Sequence, residues 1–368
     1  MRAMPTRSAT DSAPLERLLR IATCLAECGY GAQVGQLAAT ARAFRADAQL
    51  WAAHARHRGR KGRTRLMHAA WTGNLGRIEF LLGRGADVEA VEATFGDTAL
   101  MFACQRGHSE AARVLVERGG ANMNAATFDD GLTALMWASQ NGHLETARYL
   151  VEHGGANVNA VMTDDGYTAL MWASQRGHQE IVRCLVERGG ANVDAARTTD
   201  GKTALMLTSW NGHLEIVRFL VERGGASVNA ARTTDGFTAL MWASQMGHLE
   251  IVRFLVERGG ANLNAAQTFD GFTALLWACF KGHLEIVRLL TLRGAHLNAV
   301  RALCGTTPLM YASMKGYAAI ARLLLERGAL THLVNHAGRT ARFFAASYPL
   351  VLAELEGAED SEEDDEEE

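Results

Sequence analysis

One phrase recurs along most of this chain, and its period limits what the chain can fold into. A glycine opens each copy, at Gly62, Gly96, Gly131, Gly166, Gly201, Gly236, Gly271, Gly305 and Gly338; most steps are 35 residues and the outer ones 33 or 34. A fixed period of this size marks a solenoid, in which each unit is too small to bury its apolar face alone and does so against its neighbours.

The copy opening at Gly236 shows what one unit asks for. Thr238–Gln245 is short, apolar and Ala-rich and suits a first helix, with Thr238 placed to accept from the free amides of its first turn. Gly247-His248 breaks that helix. Leu249–Arg258 reads as a second helix: Leu249, Val252, Leu255 and Val256 fall on one face, with Glu250 and Arg253 opposite. Gly259-Gly260 stops it, and residues 262–270 form a hairpin-like connection that turns at Asp270-Gly271.

These words resemble the ankyrin repeat, whose usual pattern is Gly-x-Thr-Pro-Leu-His, then Ala-Ala-x-x-Gly-His, an Ile-Val-x-x-Leu-Leu helix and Gly-Ala-Asp-x-Asn-Ala. The resemblance covers roughly Gly62 to Tyr348. It implies an all-α solenoid of L-shaped units, with helix pairs stacked behind projecting hairpin fingers. Eight units are complete, and a ninth, from Gly338, reads as a degenerate cap with Phe343 and Phe344 packed on the eighth, so the array occupies residues 62–349. Three departures stand out. The Pro is Ala in most copies and is kept at Pro308. The first His is Met, as at Met136, Met171 and Met241, which removes a side-chain hydrogen bond at the helix start. The 35-residue copies carry an extra Gly and an extra finger residue, which predicts longer fingers and an unchanged stack.

With 368 residues in all, the array leaves no room for a second large globular domain, and no run of eighteen apolar residues suggests a membrane span. Residues 1–13 lack an apolar secretory core and read as a disordered end, with a transit peptide the alternative. Cys24, Cys28, Cys104, Cys184, Cys279 and Cys304 make no paired Cys-x-x-Cys zinc pattern and suit a reducing compartment, cytoplasmic or nuclear. Cys104 and Cys279 share a slot with Ser139, Ser174 and Ser244, which reads as small-residue packing. Residues 354–368 hold 11 acids and no base, so the rest of the chain carries 37 basic against 29 acidic side chains. By composition that tail is disordered and solubilising; the alternative is that it folds back on the basic body or holds a basic partner. The basic run of residues 56–65 reads as a linker, since no aromatic residues interleave it, and nucleic acid is not the expected partner.

Residues 14–58 precede the repeats. Three short helices are expected there, and Pro14-Leu-Glu-Arg-Leu-Leu-Arg-Ile, Leu25, residues 34–45 and Leu50-Trp51 resemble an F-box. That resemblance implies docking of Pro14, Leu15, Leu18, Leu19, Ile21 and Leu25 on the Skp-type adaptor of a cullin-RING ubiquitin ligase. The loop after Leu25 is Gly-rich where the family usually has Pro. A helical cap over the first repeat accounts for the same residues.

Near-identical copies separate scaffold from variation. By the resemblance, a protein partner is held on the concave face and finger tips, and the chain is expected to act as a monomer. The two residues before each Gly-His vary while the scaffold holds: Trp71, Arg106, Asn141, Arg176, Trp210, Met246, Phe280 and Lys281 are candidate contacts, with Trp210 and Phe280 the expected hot spots. The finger side adds Leu132, Tyr167, Lys202, Phe237 and Phe272. Trp137, Trp172, Trp242 and Trp277 share a column with Phe102, Leu207 and Tyr311 and read as core. The loop histidines read as structural hydrogen-bonders. No nucleophile–base pair, carboxylate dyad or phosphate loop stands apart from the repeats, so neither catalysis nor a cofactor or metal is expected.

Overall fold

The computed structural model describes residues 62–153 and 155–366. The segment 14–58, with the six docking residues assigned to it, lies outside the described residues. Among those described, the fold is all-helical, with eighteen α-helices running from α1 (Arg65–Thr72) to α18 (Pro349–Glu366). Among the described residues no strand is formed; three isolated bridges, Ala126–Thr133, Ala196–Thr203 and Ala231–Thr238, pinch the finger bases. No described helix is long and apolar enough to cross a membrane.

Each repeat follows its local chemistry. Thr98, Thr133, Thr168, Thr203 and Thr238 are extended N-caps whose hydroxyls accept from the amide three residues on. Replacing the family's His by Met does not lose the helix start, because that bond uses the Met backbone. In the first two copies the Met67 and Met101 sulfurs also accept from the cap amide, at 3.3 and 3.5 Å. The first helices are almost wholly buried, as Ala169–Ser174 illustrates, while the second helices bury one stripe such as Ile216, Val217, Phe219 and Leu220. Serines 139, 174, 209, 244 and 313 stand at 0% exposure in the slot shared with Cys104 and Cys279, whose thiols burial pushes up.

Neighbouring repeats are tied at three levels. In the loops, the Nε2 of His108, His143, His178, His213, His248 and His283 donates to a carbonyl of the preceding repeat at 3.0–3.2 Å. The same rings cover the preceding loop glycine. A Cβ on Gly73, Gly107, Gly142, Gly177, Gly212 or Gly247 would lie 2.4–2.7 Å from the imidazole, and each of these glycines has φ between 67° and 84°. Tyr317 takes the place of the ring over Gly282, and Tyr348 over Gly316. At the second-helix ends, side-chain carbonyls form a ladder: Asn157 N–H to Asn124 at 2.6 Å, Asn192 to Asn159 at 2.7 Å and Asn262 to Asn229 at 2.7 Å. In the fingers, the amides of Thr163, Thr198, Thr233 and Thr268 donate to Asp130, Asp165, Asp200 and Asp235 carbonyls at 2.9–3.1 Å.

The extra glycine of the 35-residue copies widens one turn. Ala226 N–H reaches Leu220 O, and Ala261 reaches Leu255, six residues back; in shorter copies Ala86 and Ala295 reach Leu81 and Leu290, five back. In the copy opening at Gly166 the widening spreads into a π-helical turn, Cys184–Arg188, after α8 (Gln179–Arg183).

The C-terminal end differs from expectation. After α17 (Ala341–Ala345), Pro349 starts α18, which continues through Glu366 and includes most of the acidic segment expected to be disordered. Pro fits the first helical position, the segment is rich in Glu and Ala, and Val351 and Leu355, four apart, are fully buried as anchors. Arg342 pairs with Glu356 at 2.8 Å. Phe344 packs against the core, but Phe343 is 54% exposed and does not seal the end.

The loop contact can be separated from simple glycine preference. Gly225 has φ +69 and open space around its would-be Cβ, whereas that of Gly212 would meet His248. Gly225→Ala is expected to cost about 1–2 kcal/mol for the left-handed backbone alone, and Gly212→Ala distinctly more. Urea unfolding of both variants checks this, and equal costs would remove the ring contact from the account. Burial, partly offset by the carbonyl bond, holds His178 and His283 below the ordinary 6.5. The unfolded chain therefore binds protons first as pH falls through 6.5, so stability is complete above that value and declines below it. NMR titration is expected to show both imidazoles below 6.5, with the urea midpoint falling as the solution is acidified; midpoints that stay flat would contradict this.

Candidate protein-binding face

The ends of the first helices and the bases of the fingers meet along one face. Arg106, Asn141, Arg176 and Met246 are exposed there, and Trp71, Trp210, Phe280 and Lys281 are half-buried. The three aromatics also bridge repeats. Trp71 stands edge-on to Phe102 at 5.9 Å, Trp210 is tilted on Trp242 at 5.3 Å, and Phe280 stands edge-on to Tyr311 at 5.4 Å. Each rests on the first helix of the next repeat and leaves part of its ring uncovered.

The finger-side residues behave otherwise. Tyr167, Phe237, Phe272 and Leu132 are 4–5% exposed, so they belong to the core and do not present the surface expected of them. Tyr167 lies 4.5 Å from Trp172, Phe237 4.2 Å from Trp242 and Phe272 4.3 Å from Trp277. The partner is five residues on, across the turn into the first helix, a spacing that neither helical nor strand periodicity reveals. A signal was nonetheless present. Wherever the helix carries Trp (137, 172, 242, 277) the finger side carries Leu132, Tyr167, Phe237 or Phe272; where it carries Phe102, Leu207 or Tyr311, the finger side is Asp97, Lys202 or Thr306. The wide indole needs an apolar lid.

Lys202 is the exception among the finger-side candidates. With Leu207 beneath it in place of Trp, its ammonium reaches over Trp210 and Trp242, 5.4 and 5.7 Å from the ring centres, and pairs with Asp200 at 3.2 Å. Burial lowers its pKa, with Asp200 opposing. The finger bases repeat this theme. Arg197 pairs with Asp165 at 2.9 Å, Arg232 with Asp235, and Arg301 with Asp270 at 3.5 Å, while their guanidiniums lie over Tyr167, Phe237 and Phe272. These four cation–acid pairs are partly buried and brace the fingers against the aromatic layer.

The tryptophan column is split. Trp137 and Trp172 are buried at 5% and 8%, and Trp242 and Trp277 are partly covered against the core. It is thus a packing column, and the loop histidines are committed to inter-repeat carbonyls. Among the described residues, no group of three or more His, Cys, Asp or Glu is placed to hold a metal ion.

A family model described as ankyrin repeats in three copies matches residues 66–162, 155–232 and 225–301. A single-repeat model, ankyrin repeat, matches residues 304–336. A search of curated proteins found no match.

The division of this face into core and surface has a direct test. Phe237→Ala is expected to destabilise by about 3–5 kcal/mol, as for a buried aromatic, whereas Met246→Ala should stay within about 0.5 kcal/mol of the parent. Thermal unfolding of the two variants distinguishes them, and a neutral Phe237→Ala would return that residue to the surface.

Proposed function

This chain belongs to the ankyrin-repeat family, and we propose that it is a non-enzymatic binding module whose protein partner lies across the first helices and finger bases. One observation carries the reading. Within copies that are otherwise nearly identical, the position before each loop glycine changes from Arg106 to Asn141, Arg176, Asn211 and Met246, all exposed, and to half-buried Lys281. A residue kept only for packing would repeat with the scaffold. Partly covered Trp210 and Phe280 supply the aromatic anchors that dominate interface energies. Repeats packed roughly 8–10 Å apart give an array of about 80 Å, and a standard interface of about 800 Å² per partner would occupy three or four of them.

The N-terminal segment extends this reading on sequence alone. Its F-box-like pattern from Pro14 to Trp51 would make the chain a substrate receptor, with Leu15, Leu18, Leu19 and Leu25 on a Skp-type adaptor and the repeats holding the substrate. The competing reading is a scaffold whose N-terminal helices cap the first repeat.

Capture from cell extract by the full chain, by a chain lacking residues 1–58, and by a Trp210→Ala/Phe280→Ala chain tests both levels. Proteins held by the first two and released by the third are the expected result for the face. A Skp-type adaptor held by the full chain alone is expected for the receptor reading. Partners indifferent to Trp210 and Phe280 would displace the proposed face, and no adaptor with either chain would leave the N-terminal helices as a cap.

A further inference from the structure

The charge on this face is one-sided. Of the sixteen residues in the eight pairs that precede the loop glycines, none is acidic, and Arg106, Arg176, Lys281 and Lys315 are basic. At the finger bases, Asp165, Asp200, Asp235 and Asp270 are matched by Arg197, Lys202, Arg232 and Arg301, while Asp130 of the preceding copy is buried and accepts from the Thr127 hydroxyl. Cations also sit on the aromatics: Arg106 lies 4.7 Å from the Trp71 ring centre, and Lys281 and Lys315 lie 5.4 and 5.1 Å from that of Phe280. A cation held at a ring face is pre-placed, so a carboxylate that meets it gains a charge-assisted bond without ordering a free side chain.

We infer that the partner presents to this face an extended peptide with carboxylate side chains at both ends and an apolar centre. This rests on the protein-binding reading of the same face. Arg106 and Arg176 mark one end and Lys281 and Lys315 the other, with half-buried Trp210 and exposed Met246 between them. At roughly 8–10 Å per repeat and 3.3 Å per extended residue, the span from Arg106 to Lys315 takes about 17 residues. Lys281 and Lys315, in adjacent repeats, call for carboxylates about three residues apart, and the three-repeat gap between Arg176 and Lys281 for an apolar stretch of about eight. A nucleic-acid strand fits less well: its charges are continuous, whereas the row carries no basic residue between Arg176 and Lys281 and the finger-base charges there are paired. The chain's own acidic segment is carried on α18, which is anchored through Val351 and Leu355 and packs on the second helix of the last full repeat, Ala318–Leu325.

The test uses the full chain and labelled synthetic peptides of one length and one Leu- and Trp-bearing centre, flanked by Asp and Glu, by Asn and Gln, or by Lys, with an oligothymidylate of similar length alongside. Fluorescence anisotropy is expected to show the acidic peptide binding about tenfold or more tighter than the neutral one, with the advantage lost in Lys281→Glu/Lys315→Glu. Trp210→Ala should weaken acidic and neutral peptides alike. Neutral and acidic peptides of equal affinity, both sensitive to Trp210→Ala, would overturn the charge assignment and leave the protein-binding face standing. Oligothymidylate binding tighter than the acidic peptide, and abolished by the same charge reversal, would overturn it in favour of nucleic acid. Deleting residues 359–368 should leave the acidic peptide's affinity unchanged; a tenfold gain would make that segment the occupant and overturn the assignment to a partner.

Discussion

A side chain larger than hydrogen at Gly107, Gly142, Gly177, Gly212 or Gly247 would collide with the imidazole of the following repeat, and the other features of the array depend on that fit. The left-handed glycine ends the first helix, the ring packs on it, and the ring nitrogen returns a hydrogen bond to the repeat it covers. Loop geometry, helix termination and inter-repeat spacing are thus set by one contact. Once spacing is set, the asparagine ladder and the finger amides fall into register, and each first helix buries its alanines against the next.

Much of this could be read from the letters. The period, the threonine caps, the glycine stops and the structural role of the loop histidines follow from local chemistry and from comparing copies. The tryptophan column was legible as core because Phe102, Leu207 and Tyr311 replace it freely. What escaped was contact across a turn. Tyr167, Phe237 and Phe272 alternate with Asp97, Lys202 and Thr306, so they have the mixed character of a surface position, and only their pairing with the tryptophan five residues on reveals the lid. The acidic end misled for another reason. Charge density argued against order, while the buried spacing of Val351 and Leu355 supports a helix that carries the acids along. The exposed row before the loop glycines was legible as variation, but the embedding of Trp71, Trp210 and Phe280 between repeats needed coordinates.

The aromatic layer ties the scaffold to the face. Trp210, Phe237, Trp242, Phe272, Trp277, Phe280 and Tyr311 form successive ring contacts across repeats, so the half-buried rings that face outward are held by the same stack that closes the core. A surface supported in this way loses little conformational freedom when it is covered, which favours recognition by anchors already in place. The finger-base ion pairs serve the same end, since they fix the fingers while their charges cancel and leave the sign of the face to the row above.

Because each loop glycine is sealed by a ring that lies one repeat further along, the array has a direction. Gly73 waits for His108, Gly282 for Tyr317 and Gly316 for Tyr348. On the ribosome, a helix pair emerges before the residue that closes it, so ordering during synthesis trails elongation by at least one repeat. The Gly316 loop is closed only by Tyr348, and until that residue is in place it remains open to solvent.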